Sequence, residues 1–194
     1  MAEKPLAYRL LVIGGSAGSL EAILQFFPSL MPEKALAIVL VLHRRSGESM
    51  LTELLKDKTS WQVKEAEEKE PIEPGTIYIA PADYHLLIEN DHTFSLDYSE
   101  KIHYSRPAID VTFETAAEAY GPRLMALLLS GANQDGTAGL QKIKRAGGFV
   151  MVQDPGEAIV SYMPKYAVDH VSVDRMLPAK EIAAAVRSLM NGVE

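Results

Sequence analysis

Three residue types that together perform acyl transfer stand at turns of this sequence. They are Ser16 in "LVIGGSAGSLEAIL", His43 in "VLVLHRRSGES" and Asp135 in "LLLSGANQDGTAG". A serine hydroxyl is a weak nucleophile until a base removes its proton, and a neutral imidazole suits that task around neutral pH. The imidazole must be oriented and must tolerate becoming charged, which a buried carboxylate on its other nitrogen provides. Gly14, Gly15 and Gly18 fit the same chemistry, because a sharp turn of the G-x-S-x-G kind lifts a serine oxygen to the head of a helix. Unpaired N–H groups of the first helical turn can receive an oxyanion there.

Each residue also has a plainer reading. A glycine-rich turn after the first strand of an α/β protein cradles phosphates or dinucleotides at least as often. Here Gly14-x-x-x-Gly18 gives neither G-x-G-x-x-G nor a P-loop, and the second strand ends in His43 rather than in an acid for a ribose hydroxyl. His43 alone would read as a capping or packing histidine. Asp135 alone would read as the cap of the helix that follows it. Their joint placement favours hydrolase chemistry.

That placement follows from the elements. Arg9–Ile13 and Ala37–Leu42 are almost continuously apolar, as parallel strands covered on both faces are. Leu20–Phe27 repeats its apolar residues at helical spacing and stops at Pro28; "SGESMLTELLKD" reads as a second helix, with a short strand around Val63. "GTIYIA", "HLLIE" and "TFSLDY" alternate apolar and polar residues across turns, which predicts an antiparallel insertion or sheet edge. The helical period returns in "DVTFETAAEAY". Then come the strand "LMALLL" (124–129), the turn carrying Asp135, a helix to Ala146, the strand "GFVMVQD" and the terminal helix "PAKEIAAAVRSLM" with Pro178 in its first turn. The alternation predicts one doubly wound α/β domain over residues 1–194, with a mainly parallel sheet and an antiparallel hairpin insertion. Ser16, His43 and Asp135 then leave three parallel strands on one edge of that sheet, where such folds gather ligands and catalytic groups.

The bulk numbers agree with a soluble catalyst. Of 194 residues, 47% are apolar and 23% charged, the balance of a globular chain with a core. The net charge of −7 argues against nucleic acid as partner, and the absence of cysteine excludes a disulfide scaffold and thiolate zinc sites. The longest apolar run, "ALAIVLVL", is far short of the ~20 residues that span a bilayer, and the N-terminus lacks a signal layout. A cytoplasmic protein without membrane insertion is expected. His85, His92, His103 and His170 show no metal-ligand spacing, so neither a metal nor a cofactor is expected; Trp61 reads as a packing residue and "EAEEKE" as a solvated face.

The chain resembles the catalytic domain of the CheB family, the chemotaxis protein-glutamate methylesterases. The resemblance is carried in order by "VIGGSAGSLEAI", "VLHRRSGESMLTELL", "PIEPGTIYIAPADYHLLI", "SRPAIDVTFETAAEAYG", "LLLSGANQDGTAGL" and "GGFVMVQDPGEAIVSYMPKYAV". It implies Ser16 as nucleophile, His43 as general base and Asp135 as the orienting acid, the three residues that strand-end reasoning selects. It also implies hydrolysis of γ-glutamyl methyl esters on the cytoplasmic helices of methylated chemoreceptors, with release of methanol, and in many members deamidation of receptor glutamines. The backbone N–H groups of Ala17 and of the turn around Ala132 are the implied oxyanion donors. Arg106, in a family segment near the cleft, either steers an acidic receptor surface or braces its loop. Ala17 stands where the family commonly has threonine, Ser19 replaces a glycine and Ala132 a methionine. All three changes keep backbone donors, and the first removes a hydroxyl. The first strand near residue 9 leaves no room for the family's usual receiver domain, so a stand-alone esterase domain is expected, with a separate regulatory partner as the alternative source of control.

Overall fold

Apolar β-branched and leucine-rich runs alternate with helix-period segments throughout, and the chain lays them down as a sheet between two helical layers. The computed structural model describes residues 8–44 and 50–192. The elements, in chain order, are β1 (Leu10–Gly15), α1 (Ser19–Phe26), β2 (Ala37–Leu42), α2 (Met50–Lys56), β3 (Gln62–Glu65), β4 (Thr76–Ile79), β5 (His85–Ile88), β6 (Phe94–Asp97), α3 (Ile109–Tyr120), β7 (Leu124–Leu128), α4 (Thr137–Arg145), β8 (Phe149–Gln153), α5 (Tyr162–His170), β9 (Arg175–Leu177) and α6 (Ile182–Met190). The first residues of "SGESMLTELLKD", 46–49, lie outside the described residues.

Seven strands form one sheet in the order β3-β4-β2-β1-β7-β8-β9, with every neighbouring pair parallel. Strand order reverses at β1, which has β2 on one side and β7 on the other. That reversal opens a crevice past the carboxyl ends of the strands.

Both faces of the sheet are covered. Leu10 and Val12 of β1 pack with Val39 and Val41 of β2 against α3, α4 and α5. Leu11 and Ile13 point the other way, with Ile38 and Leu40, against α1, α2 and α6. The alternation of Cβ directions along a strand thus serves two apolar layers instead of one apolar and one wet face. The buried indole of Trp61 donates Nε1–H to the carbonyl of Leu30 at 2.8 Å, as a packing residue would.

Two expectations need correcting. "GTIYIA" belongs to neither the antiparallel insertion nor a sheet edge: β4 is a parallel strand between β3 and β2, buried at all four positions. Its polar residues misled because they are buried with partners. Tyr78 packs its ring on Phe94, donates its hydroxyl to the carbonyl of Pro71 and accepts the Glu73 N–H. Only β5 and β6 form the antiparallel pair, and they sit on the α3 side of the sheet. Pro178 precedes a short 3-10 turn, Ala179–Glu181, before α6 starts at Ile182.

Candidate active site

The nucleophile candidate sits where β1 becomes α1. The chain must turn sharply there, and Gly18 adopts φ +78°, a left-handed conformation that a side chain disfavours. The Ser16 N–H donates to the carbonyl of Ser130 at 2.9 Å, and its carbonyl accepts from Ser19 N–H and Oγ. The turn is therefore held to the end of β7 as well as to its own helix. One strand over, the His43 N–H donates to the carbonyl of Gly15 at 3.1 Å and fixes the end of β2 beside that of β1.

These ties bring three side chains into line. His43 Nδ1 lies 3.1 Å from Ser16 Oγ, and His43 Nε2 lies 2.7 Å from Asp135 Oδ2. An ionised carboxylate only accepts, so Nε2 carries the ring proton and leaves the Nδ1 lone pair for the serine hydroxyl. The His43 side chain is 11% exposed and that of Asp135 is fully buried.

Asp135 is gripped from a second direction. The Ile109 N–H donates to its Oδ2 at 2.7 Å and the Asp110 N–H to its Oδ1 at 2.9 Å. These are the first two amides of α3, a helix whose N-cap, Ala108, has no side chain able to cap it. In return, Asp110 Oδ1 accepts the N–H of Gly139 in the first turn of α4 at 2.8 Å, where the N-cap is Gly136. Asp135 thus caps the helix that carries Asp110, and Asp110 caps the helix that follows Asp135.

The two carboxyls titrate apart. Burial by itself would raise the pKa of Asp135, but the His43 ring N–H and the Asp110 and Ile109 amides outweigh it and hold the group below the usual carboxylate range. Asp110 is pushed up to about 6, first by burial and then by the negative charge of Asp135. Asp135 is the first of the pair to ionise as pH rises, and it carries the charge that a group facing an imidazolium must carry.

Ala17 and Ala132 are exposed and flank the serine turn and the Gly131–Asn133 turn. The neighbouring N–H groups are taken, that of Ser16 by Ser130 and that of Gly131 by Val160. Neither Ala17 nor Ala132 donates its N–H within the protein among the described residues.

Ser130, which the sequence reasoning passed over, joins the two turns. Its buried Oγ lies 2.7 Å from the carbonyl of Ala17 and accepts the Val160 N–H at 2.8 Å, while its own N–H donates to Gln153 Oε1. A serine directly after an apolar strand was the available signal.

Arg106 braces its loop. Nη1 donates to the carbonyls of Tyr98 and Ser99 at 3.3 and 2.7 Å, and the guanidinium lies 3.7 Å from the centre of the Tyr98 ring. It does not line the cavity of about 680 Å³ that opens beside Ser16 and His43. His85 and His92 are packing residues: His85 is fully buried and accepts the Ala108 N–H, and His92 stacks on Tyr120. His103, Asp110 and Asp135 bring ligand atoms within 4.8 Å of one another. However, both oxygens of Asp135 already accept hydrogen bonds.

Fold and geometry define a class: a doubly wound α/β protein with a Ser–His–Asp arrangement at the reversal of its strand order. The comparison with known proteins narrows it. The chain belongs to the CheB methylesterase family, whose model matches residues 11–186. It is 45% identical over 179 residues to a putative protein-glutamate methylesterase/protein-glutamine glutaminase of Leptospira interrogans, covering 91% of this chain and 92% of that protein. It is 38% identical to the protein-glutamate methylesterase/protein-glutamine glutaminase of Thermotoga maritima, covering 90% of this chain but only 52% of that one. The crystal structure of the Thermotoga maritima CheB methylesterase catalytic domain superposes with a TM-score of 0.86 at 35% identity, covering 96% of this chain and all of that one.

Proposed function

We propose that the protein is a serine hydrolase that demethylates glutamate γ-methyl esters on the cytoplasmic helices of chemoreceptors. It would act as a single methylesterase domain in the cytoplasm. The observation that carries the reading is the hydrogen-bonded line Ser16–His43–Asp135 at the carboxyl edge of the sheet. Nucleophile, base and orienting carboxylate stand there in the order that ester hydrolysis needs, in a chain of the CheB methylesterase family. No helix of the described residues is long and apolar enough to cross a membrane, which fits an enzyme that meets its receptor from the aqueous side.

Ser16 Oγ attacks the ester carbonyl and its proton passes to His43 Nδ1, so the Oγ–C bond forms as the carbonyl oxygen becomes an oxyanion. The Ala17 and Ala132 N–H groups would stabilise that charge, at about 3 kcal/mol for each well-aimed donor. Collapse breaks the C–OCH3 bond, and His43 returns the proton to the leaving oxygen as methanol. Water then attacks the acyl-serine, again giving its proton to His43, and the glutamate leaves as Ser16 is restored. Asp135 holds the imidazole in the productive tautomer and balances its charge in both steps. The same path applied to a glutamine side chain would release ammonia in place of methanol, and the names of both relatives include that activity.

The test is methanol release from a methylated chemoreceptor cytoplasmic fragment by the wild type and by Ser16→Ala, with circular dichroism to verify that the variant is folded. A fall of roughly 10⁴- to 10⁶-fold is expected. Equal release by both proteins would remove Ser16 from the mechanism.

A further inference from the structure

The cavity beside the Ser16–His43 pair is larger than the reaction needs. Its volume of about 680 Å³ lies in the range that accepts a drug-sized ligand, whereas a glutamyl methyl ester is only a few atoms long. It runs between α1 and α2, and its walls are Leu20 and Leu42 on one side and Met50, Leu51 and Leu54 on the other. Leu54 is 36% exposed and Met50 is 77% exposed, so apolar surface beyond the reacting group is left for a partner to cover.

The charges along this groove are uneven. Arg44, the cation on its wall among the described residues, donates to Glu65 Oε2 at 2.6 Å and to the carbonyl of Ala80. Glu53 is held by Lys56 at 2.8 Å. Asp57, one residue beyond α2, lines the same groove and pairs with no cation among the described residues. An apolar trough with a carboxylate that has no cationic partner among the described residues favours an apolar or basic occupant and disfavours an acidic one.

The occupant follows from the substrate's geometry, and the argument rests on the methylesterase reading. On a helix, residues three and four positions apart lie side by side. With an esterified glutamate at Ser16, the neighbouring side chain on the same helical face enters whatever adjoins the nucleophile. We infer that the groove between α1 and α2 is a specificity subsite. It seats an apolar side chain three or four residues from the esterified glutamate on the substrate helix, and Asp57 disfavours an acidic residue at that position.

The experiment uses helical peptides with a central glutamate γ-methyl ester and leucine, lysine or aspartate three or four residues to either side. Methanol release gives kcat and KM separately. The wild type is expected to favour the leucine peptide over the aspartate peptide at least about tenfold in kcat/KM, chiefly through KM. In Leu54→Glu, the KM of the leucine peptide rises and that preference shrinks below about threefold. Asp57→Lys brings the aspartate peptide up towards the leucine one. The peptide panel with the wild type does not depend on any variant folding. Equal kcat/KM across the panel, with release otherwise normal, overturns the inference and leaves the methylesterase reading standing. No release from any peptide or from the methylated receptor fragment overturns both.

Discussion

His43 stands between two oxygens with opposite demands, and its ring orientation answers both. The 2.7 Å contact at Nε2 is that of a charge-assisted bond to a buried carboxylate, and the 3.1 Å contact at Nδ1 is the looser one of a resting hydroxyl. Replacing Asp135 with asparagine puts an amide where only acceptors stood. The ring then loses its tautomer bias while the residue keeps its shape. For Asp135→Asn we expect kcat for methanol release to fall about 10³- to 10⁴-fold with KM little changed. A loss smaller than tenfold would mean that something other than this carboxylate orients the imidazole. The three residues were legible from sequence because Ser16 and His43 directly follow apolar strands and Asp135 lies in the turn that leaves a third. The grip of Ile109 and Asp110 on Asp135 was not, since backbone amides leave no mark in a sequence and Ala108 hides the helix start they belong to.

At the scale of elements, two junctions decide the site. The β1–α1 turn closes on itself so tightly that a Cβ at Gly18 would lie 2.7 Å from both Ile159 Cβ and Ser130 Oγ. With φ at +78° added to that crowding, Gly18→Ala is expected to cost roughly 2–4 kcal/mol and to lower the Tm by about 10 °C in a thermal melt. A melt unchanged within about 2 °C would show that the turn relaxes freely. At the other junction, α3 and α4 approach closely at Gly139, where an added Cβ would meet Phe113 Cβ at 2.4 Å. The sequence announced most elements by period alone, and β2 has the limits that its apolar run predicts. It did not announce α5 or β9. Pro164 in the first turn of α5 reads as a breaker although its missing N–H would have no partner there, and β9 is only three residues long.

Across the whole molecule, the Asp110–Asp135 pair writes a pH signature into stability. The carboxyl of Asp110, 6% exposed, has a folded pKa of about 6, above its unfolded value. Its favourable contribution is therefore complete below the unfolded pKa and is lost as pH rises through about 6. Asp135, with its pKa lowered, acts in the opposite sense: its contribution is present above the unfolded value and disappears as pH falls. Asp110→Asn keeps an acceptor for Gly139 while removing the like charge. Urea unfolding is expected to show this variant about 1–2 kcal/mol more stable than the wild type at pH 8, with the gain gone by about pH 4. A constant difference across that range would sever the link to titration. The doubly wound class and the edge on which the site lies were readable from the alternation of strands and helices. The place of β4 inside the sheet was not, because a buried tyrosine with a bonded hydroxyl looks in sequence like a wet face.

The reciprocal capping has a consequence for how such a chain can change over generations. Among the described residues, the hydrogen bonds of the Ser16 and His43 side chains stay within the proposed triad, so losing either leaves the joints between helices intact. Asp135 also closes the start of α3, so a copy that loses it surrenders part of the joint between two helices along with the reaction. Descendants of this protein that have abandoned hydrolysis should therefore carry their first lesion at position 16 or 43 and still hold an aspartate at 135.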